Sequence, residues 1–124
     1  MNYKTIDMDS FPRRAHFEYF KGLAYPYVGF TVNVDITGFL AQQKRLGLPF
    51  YLALAYCVTR AANSVSEFRR RIHGDGIIEY DWCHGSHTVA LPDETYCYCT
   101  LDCRMPFDEY LPRAAEAWER AKAA

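Results

Sequence analysis

Four histidines (His16, His73, His84, His87) and five cysteines (Cys57, Cys83, Cys97, Cys99, Cys103) are the side chains in these 124 residues best suited to chemistry. Cys83-His84-x-x-His87 with Cys97, Cys99 and Cys103 offers six soft or borderline ligands, of which zinc would accept four in a tetrahedron. Against this, Cys97, Cys99, Leu101 and Cys103 alternate onto one face of a strand, where thiols behave as small apolar groups, and no paired Cys-x-x-Cys knuckles occur. No metal ligand is therefore assigned, and a small zinc-binding module is kept as an alternative. A histidine can also serve as a general base if it reaches the reacting proton and titrates near neutrality. His73 abuts the glycines of a turn, and no oxyanion donor can be named beside His84 or His87. No catalytic residue is named among them.

The elements that must position these groups follow from periodicity. Ser10 and Pro12 mark a helix start over 12–22, with Phe17, Phe20 and Leu23 on one face. Val28, Phe30, Val32 and Val34 alternate on one side of a strand over 28–34. Asp35 or Thr37 caps a short helix to Arg45 that Gly47 closes. Pro49 opens the longest helix, to about Arg71, with Leu52, Ala55, Tyr56, Thr59, Ala62 and Asn63 facing inward and Arg60, Glu67 and Arg70 outward. Residues 71–73 and 77–80 flank Gly74-Asp75-Gly76 as a hairpin. Strands over 87–91 and 96–101 follow, then an amphipathic helix over 106–122. This order predicts an α+β fold, a two-layer sandwich with helices on one face of a largely antiparallel sheet, in a single domain spanning 1–124.

Composition narrows the class. Hydrophobic residues are 50% of the chain and aromatics 16%, with ten Tyr and eight Phe, which suits a folded domain rich in flat side chains. Fourteen basic residues against fifteen acidic ones leave a net charge of -1, and Arg69-Arg70-Arg71 is the only dense basic run, so no nucleic-acid partner is expected. There is no apolar stretch near 18 residues and no signal-peptide pattern after Met1, so the chain reads as cytoplasmic, without a membrane partner and with its odd number of thiols reduced.

Several motifs in fixed order resemble one family. They are Met1-Asn2-Tyr3, then Arg13-Arg14-Ala15-His16-Phe17-Glu18, Val34-Asp35-Ile36-Thr37 and Pro49-Phe50-Tyr51. Asn63 with Glu67-Phe68-Arg69, the strand from Gly76 to Asp81, and Thr88-Val89 before Glu94-Thr95-Tyr96 complete the series. Each is weak alone. Together, at nearly unchanged spacing over about 100 residues, they resemble the N-terminal half of chloramphenicol acetyltransferases. The resemblance implies half of a CoA-dependent acyltransferase fold.

It also implies roles. In that family a histidine in a His-His-x-x-x-Asp-Gly segment takes the proton of the antibiotic's hydroxyl, which attacks acetyl-CoA. The 124 residues contain no such segment, so neither catalysis nor bound acetyl-CoA is expected of this chain alone. The family's acceptor-pocket residues fall on Phe20, Pro26, Val28, Thr88, Tyr96 and Tyr98. Tyr98 stands where the family usually has a small residue, which would crowd a chloramphenicol-shaped cavity and leave room for some flat apolar ligand. Arg13 and His16 are structural by resemblance. Arg13 lacks the family's aspartate partner, so it is either solvated or re-paired with another carboxylate.

Three functions compete. The first is a truncated, non-catalytic homologue that binds a small hydrophobic or aromatic molecule. The second is the pocket half of an O-acetyltransferase completed by a second chain. The third is the zinc module. Sheet edge and apolar surface left without cover predict a homo-oligomer, a dimer in the simplest case, with the helix from Pro106 as a candidate cover.

Overall fold

The computed structural model describes residues 2–124. Its elements are β1 (Tyr3–Thr5), α1 (Arg14–Lys21), α2 (Thr37–Leu46), α3 (Phe50–Asn63), a 3₁₀ turn (Ser66–Arg69), β2 (Arg70–His73), β3 (Gly76–Tyr80), β4 (Gly85–Ala90), β5 (Tyr96–Leu101) and α4 (Phe107–Ala123). The fold is α+β, as its periodicities predict. Its sheet, however, comes in two antiparallel pieces, β1-β3-β2 and β4-β5.

The β4–β5 ribbon organises the core. Its register sets His87 opposite Cys99 and Val89 opposite Cys97 on one face, and Thr88 opposite Tyr98 and Ala90 opposite Tyr96 on the other. The first face is covered by α3 and α4. Val89, Cys99 and Leu101 close with Leu52 of α3 and Tyr110 and Ala114 of α4 around the fully buried Cys103. The Tyr110 hydroxyl donates to the Leu52 carbonyl at 2.7 Å and so ties the two helices. Burial raises the Cys103 thiol and pushes the Tyr110 phenol far up, which keeps both neutral in an apolar core.

The second sheet is held by charge. Glu79, buried on β3, lies 3.0 Å from Arg70 Nε, 3.4 Å from Lys4 Nζ and 3.7 Å from Arg69 Nη1. The hydrogen bond from Arg70, helped by Lys4, holds its carboxyl below the usual range. Strand β1, which no apolar pattern predicts, is added to this sheet by pairing Tyr3 to Thr5 against Tyr80 to Ile78.

Three expectations need correction. The long helix does not continue to Arg71; α3 ends at Asn63, because the Asn63 side chain leaves the helix surface to hydrogen-bond Cys83 and the chain turns at Ser64. Residues 28–34 form no strand. The whole stretch 25–36 is neither helix nor strand, and the side chains of 25–35 stand in solvent, Phe30 at 87% and Val28 at 82% exposure. A strand exists only through hydrogen bonds to a neighbour, and among the described residues none lies beside this one. Helices α1 and α2 form where predicted, with Gly47 closing α2 at φ +63, but neither contains a buried residue. The stripe of α1 expected to face the core is thus largely open, with Phe20 at 48% exposure.

Candidate functional site

Strand register decides which predicted site residues meet. Directly opposed residues of an antiparallel pair share a face, so Thr88 and Tyr98 lie side by side and Tyr96 follows on the same face two positions along. The Tyr96 and Tyr98 rings meet edge to face at 5.7 Å. Both are exposed, at 60% and 69%, because the helices cover only the opposite face of the ribbon. The result is an open aromatic platform edged by a hydroxyl.

The remaining predicted residues sit elsewhere. Phe20 lies on α1 with its ring edge to face against Tyr19 at 5.2 Å, and Pro26 and Val28 lie on the exposed 25–36 segment. None of the six lines either of the two cavities of about 350 and 370 Å³. The structure therefore joins Thr88, Tyr96 and Tyr98 and leaves Phe20, Pro26 and Val28 on separate exposed elements.

Sequence reasoning missed the cavity of about 350 Å³ behind the ribbon, between α3 and the start of β4. Ala55, Val58 and Phe68 supply its apolar wall, with Cys83, His84 and His87 at the strand side. His87 packs its ring 4.8 Å from that of Tyr51, and its Nε2 is buried without a hydrogen-bond partner among the described residues. Burial lowers its pKa, so the imidazole is neutral at physiological pH. His84 Nδ1 lies 3.6 Å from an Asp102 oxygen, beyond hydrogen-bond distance. The period-two alternation that turned Cys97 and Cys99 inward also turns His87 inward, and was the available signal.

Asn63 fixes this region. Its side-chain amide donates to the Thr59 and Cys83 carbonyls, both at 2.8 Å, and its oxygen accepts the Cys83 N–H at 2.8 Å. One side chain thus clamps the end of α3 to the segment that opens β4. Gly85, next along, approaches so closely that a Cβ there would lie 2.7 Å from Thr59 Oγ1.

The motif arginines are engaged. Arg13 stands 3.9 Å from Glu67, both half exposed, and stacks over the Phe11 ring at 5.2 Å, so the re-paired arrangement is the one found. His16 is exposed on α1. Arg69 donates to the Asn63 and Tyr80 carbonyls, Arg70 binds Glu79, and Arg71 donates to the Phe68 and Arg70 carbonyls. Each arginine of the basic run is thus engaged within the chain. The candidate zinc ligands are likewise divided, with Cys99 and Cys103 in the core and Cys83 and His84 in the β3–β4 segment. Among the described residues no three His, Cys, Asp or Glu side chains gather as a metal site. Among the described residues no helix is long and apolar enough to cross a membrane.

Comparison with known proteins agrees with the motifs. The sequence model described as "CAT: Chloramphenicol acetyltransferase" matches residues 1–118. A chloramphenicol acetyltransferase of Klebsiella sp is 33% identical over 99 residues, covering 80% of this chain and 45% of the relative. One from Clostridium perfringens is 34% identical over 114 residues, covering 90% and 53%. A solved structure titled chloramphenicol acetyltransferase superposes with a TM-score of 0.84 at 26% identity, over 97% of this chain and 56% of its own. The chain spans about half the length of the curated relatives it matches. By the match across 1–118 and the shared fold, the chain belongs to the chloramphenicol acetyltransferase family.

Proposed function

We propose that this chain binds a flat apolar or aromatic molecule on the platform of Thr88, Tyr96 and Tyr98, without acetyl transfer of its own. The observation that carries the reading is the open ribbon face, where two tyrosine rings and a hydroxyl stand together in solvent. Solvent-facing aromatics of this kind gain most from a ligand that covers them. Tyr98 fills space above the ribbon and so favours flat ligands over chloramphenicol.

The histidines support the non-catalytic part. A general base must stand about 3 Å from the proton it takes. His87 is turned to the opposite face of the ribbon, and His84 lies four residues from Thr88, roughly 13 Å along an extended chain. His16 and His73 belong to α1 and β2. The exposed apolar residues of α1 and of 25–34 are, on this reading, covered by self-association of the chain.

A second reading, the pocket half of an acetyltransferase completed by another polypeptide, is favoured by the half-length match to the relatives. Titration of the isotope-labelled chain with 2-naphthol and with chloramphenicol separates the outcomes. Naphthol is expected to move the resonances of Thr88, Tyr96 and Tyr98, to lose affinity at least tenfold in Tyr96→Ala, and to outcompete chloramphenicol. Naphthol shifts confined to other residues would refute the platform. Release of free CoA thiol from acetyl-CoA and chloramphenicol above the protein-free rate would refute the non-catalytic reading.

A further inference from the structure

The cavity of about 350 Å³ behind the ribbon, which Thr88, Tyr96 and Tyr98 do not line, has a chemistry of its own. Tyr51, Ala55, Val58, Thr59 and Ala62 face it at helical spacings, so it follows one stripe of α3 for about 16 Å. Its volume lies at the lower end of small-molecule sites, about 300–1,000 Å³. A long, narrow space of this kind suits a flat molecule lying along the helix.

The two ends differ in charge. At one end the Tyr51 and His87 rings stand 4.8 Å apart, and burial keeps the imidazole neutral, so that wall is aromatic and uncharged. At the other end, beside Asn63, stand Arg69 and Arg71, and no Asp or Glu lines the cavity anywhere. Arg69 is answered by Glu79 at 3.7 Å. Arg71 forms no ion pair among the described residues. Its Nη1 donates to the Phe68 and Arg70 carbonyls at 2.9 and 2.7 Å, and its Nη2 meets only the Cys83 sulfur, a weak acceptor, at 3.7 Å. Two carbonyls thus hold the guanidinium still while its charge stays uncompensated. A fork fixed in this way has already lost the freedom that binding would otherwise cost it.

We propose that this cavity binds a small aromatic carboxylate, with the carboxylate on Arg71 and the ring along α3 toward Tyr51 and His87. The planar guanidinium matches a carboxylate in shape. It also matches in charge, since one uncompensated positive charge balances a carboxylate, whereas a phosphate monoester carries close to two negative charges. Val58 and Phe68, 57% and 64% exposed on the cavity's apolar wall, are the side chains that such a ring covers. The site lies on the opposite side of the ribbon from the tyrosine platform and stands or falls independently of it.

Titration of the isotope-labelled chain with 2-naphthoate, and with the uncharged 2-naphthamide of the same shape, tests this. Naphthoate is expected to move the resonances of Val58, Cys83 and His87 and to bind at least fivefold tighter than the amide, an advantage that narrows as salt is added. Arg71→Gln should abolish the difference between the two probes. Val58→Trp, which fills the cavity, should abolish binding of both. Arg71 and Val58 are exposed, so the circular dichroism of the helices and the naphthol shifts at Thr88, Tyr96 and Tyr98 should stay unchanged in either variant. Equal affinities for naphthoate and naphthamide, unchanged naphthoate binding in Val58→Trp, or naphthoate shifts confined to the tyrosine platform would each overturn the proposal.

Discussion

Replacing Asn63 by alanine tests how α3 is coupled to β4. The side chain makes three hydrogen bonds of 2.8 Å, two of them reciprocal with the Cys83 backbone twenty residues away. A neutral hydrogen bond contributes about 0.5–1.5 kcal/mol net, and a donor or acceptor left dry costs about 1–3 kcal/mol. The Thr59 carbonyl belongs to α3, so its loss matters little. The Cys83 N–H and C=O, half-buried beside the cavity, gain water only in part. Together these give a loss of about 2–3 kcal/mol. With a urea slope of about 1–2 kcal/mol per M for a chain of this size, the unfolding midpoint should fall by about 1–3 M at unchanged slope.

Asn63→Asp distinguishes the hydrogen bonds from the volume. The shape is kept, but both N–H donors become carboxylate oxygens directed at two carbonyls. At pH 7 the variant should be at least as unstable as Asn63→Ala. Protonation restores one donor, so the carboxyl's pKa is raised in the folded state. Stability is then recovered as the pH falls through that raised value and is fully regained below the unfolded one. Equilibrium urea unfolding at fixed protein concentration, from pH 7 to pH 4, reads both effects. A midpoint within 0.3 M of the wild type for Asn63→Ala, or an Asn63→Asp variant that loses further stability relative to wild type on acidification, would refute the clamp.

Two further perturbations probe the scaffold. Glu79→Gln removes the carboxylate shared by Arg70, Lys4 and Arg69 and should cost about 2 kcal/mol. Because the Arg70 hydrogen bond lowers this pKa in the folded state, the stabilisation is present above the ordinary glutamate range and lost as pH falls through the lower folded value. The variant should therefore show a flatter acid limb in thermal melts, and an unchanged limb would count against Glu79 as its source. Gly85→Ala places a Cβ 2.7 Å from Thr59 Oγ1 and should destabilise by about 1–3 kcal/mol, with partial rescue by Thr59→Ala in a double-mutant cycle. Strict additivity of the two substitutions would show that the contact is not the cause.

The parts of this fold that could be read from the chain are those whose cause is local. Gly47 and Gly74 both take positive φ where a helix ends and a hairpin turns, and the apolar faces of α3 and α4 recur at helical spacing. Period-two alternation likewise revealed the two faces of β5, and with them the meeting of Tyr96 and Tyr98. What failed was non-local. Helical spacing runs on past Asn63 through Glu67 and Arg70, yet the helix ends where a side chain finds Cys83, a contact no window of sequence contains. The polar triplet Tyr3 to Thr5 is a strand only because β3 offers an edge.

The segment 28–34 is the converse case and the most instructive. Its composition is more strand-like than that of β1, and it is not a strand, because propensity describes fitness for a pleated, half-buried surface and cannot supply the neighbour. The same reasoning applies to the candidate site. Thr88, Tyr96 and Tyr98 converge because a ladder within the chain holds them, whereas Phe20, Pro26 and Val28 lie on elements without a buried residue. Resemblance placed all six in one pocket; the contacts within this chain secure only half of it. A ligand that requires all six side chains must therefore draw α1 and the 25–36 segment onto the ribbon. One that stacks on the tyrosines alone need not.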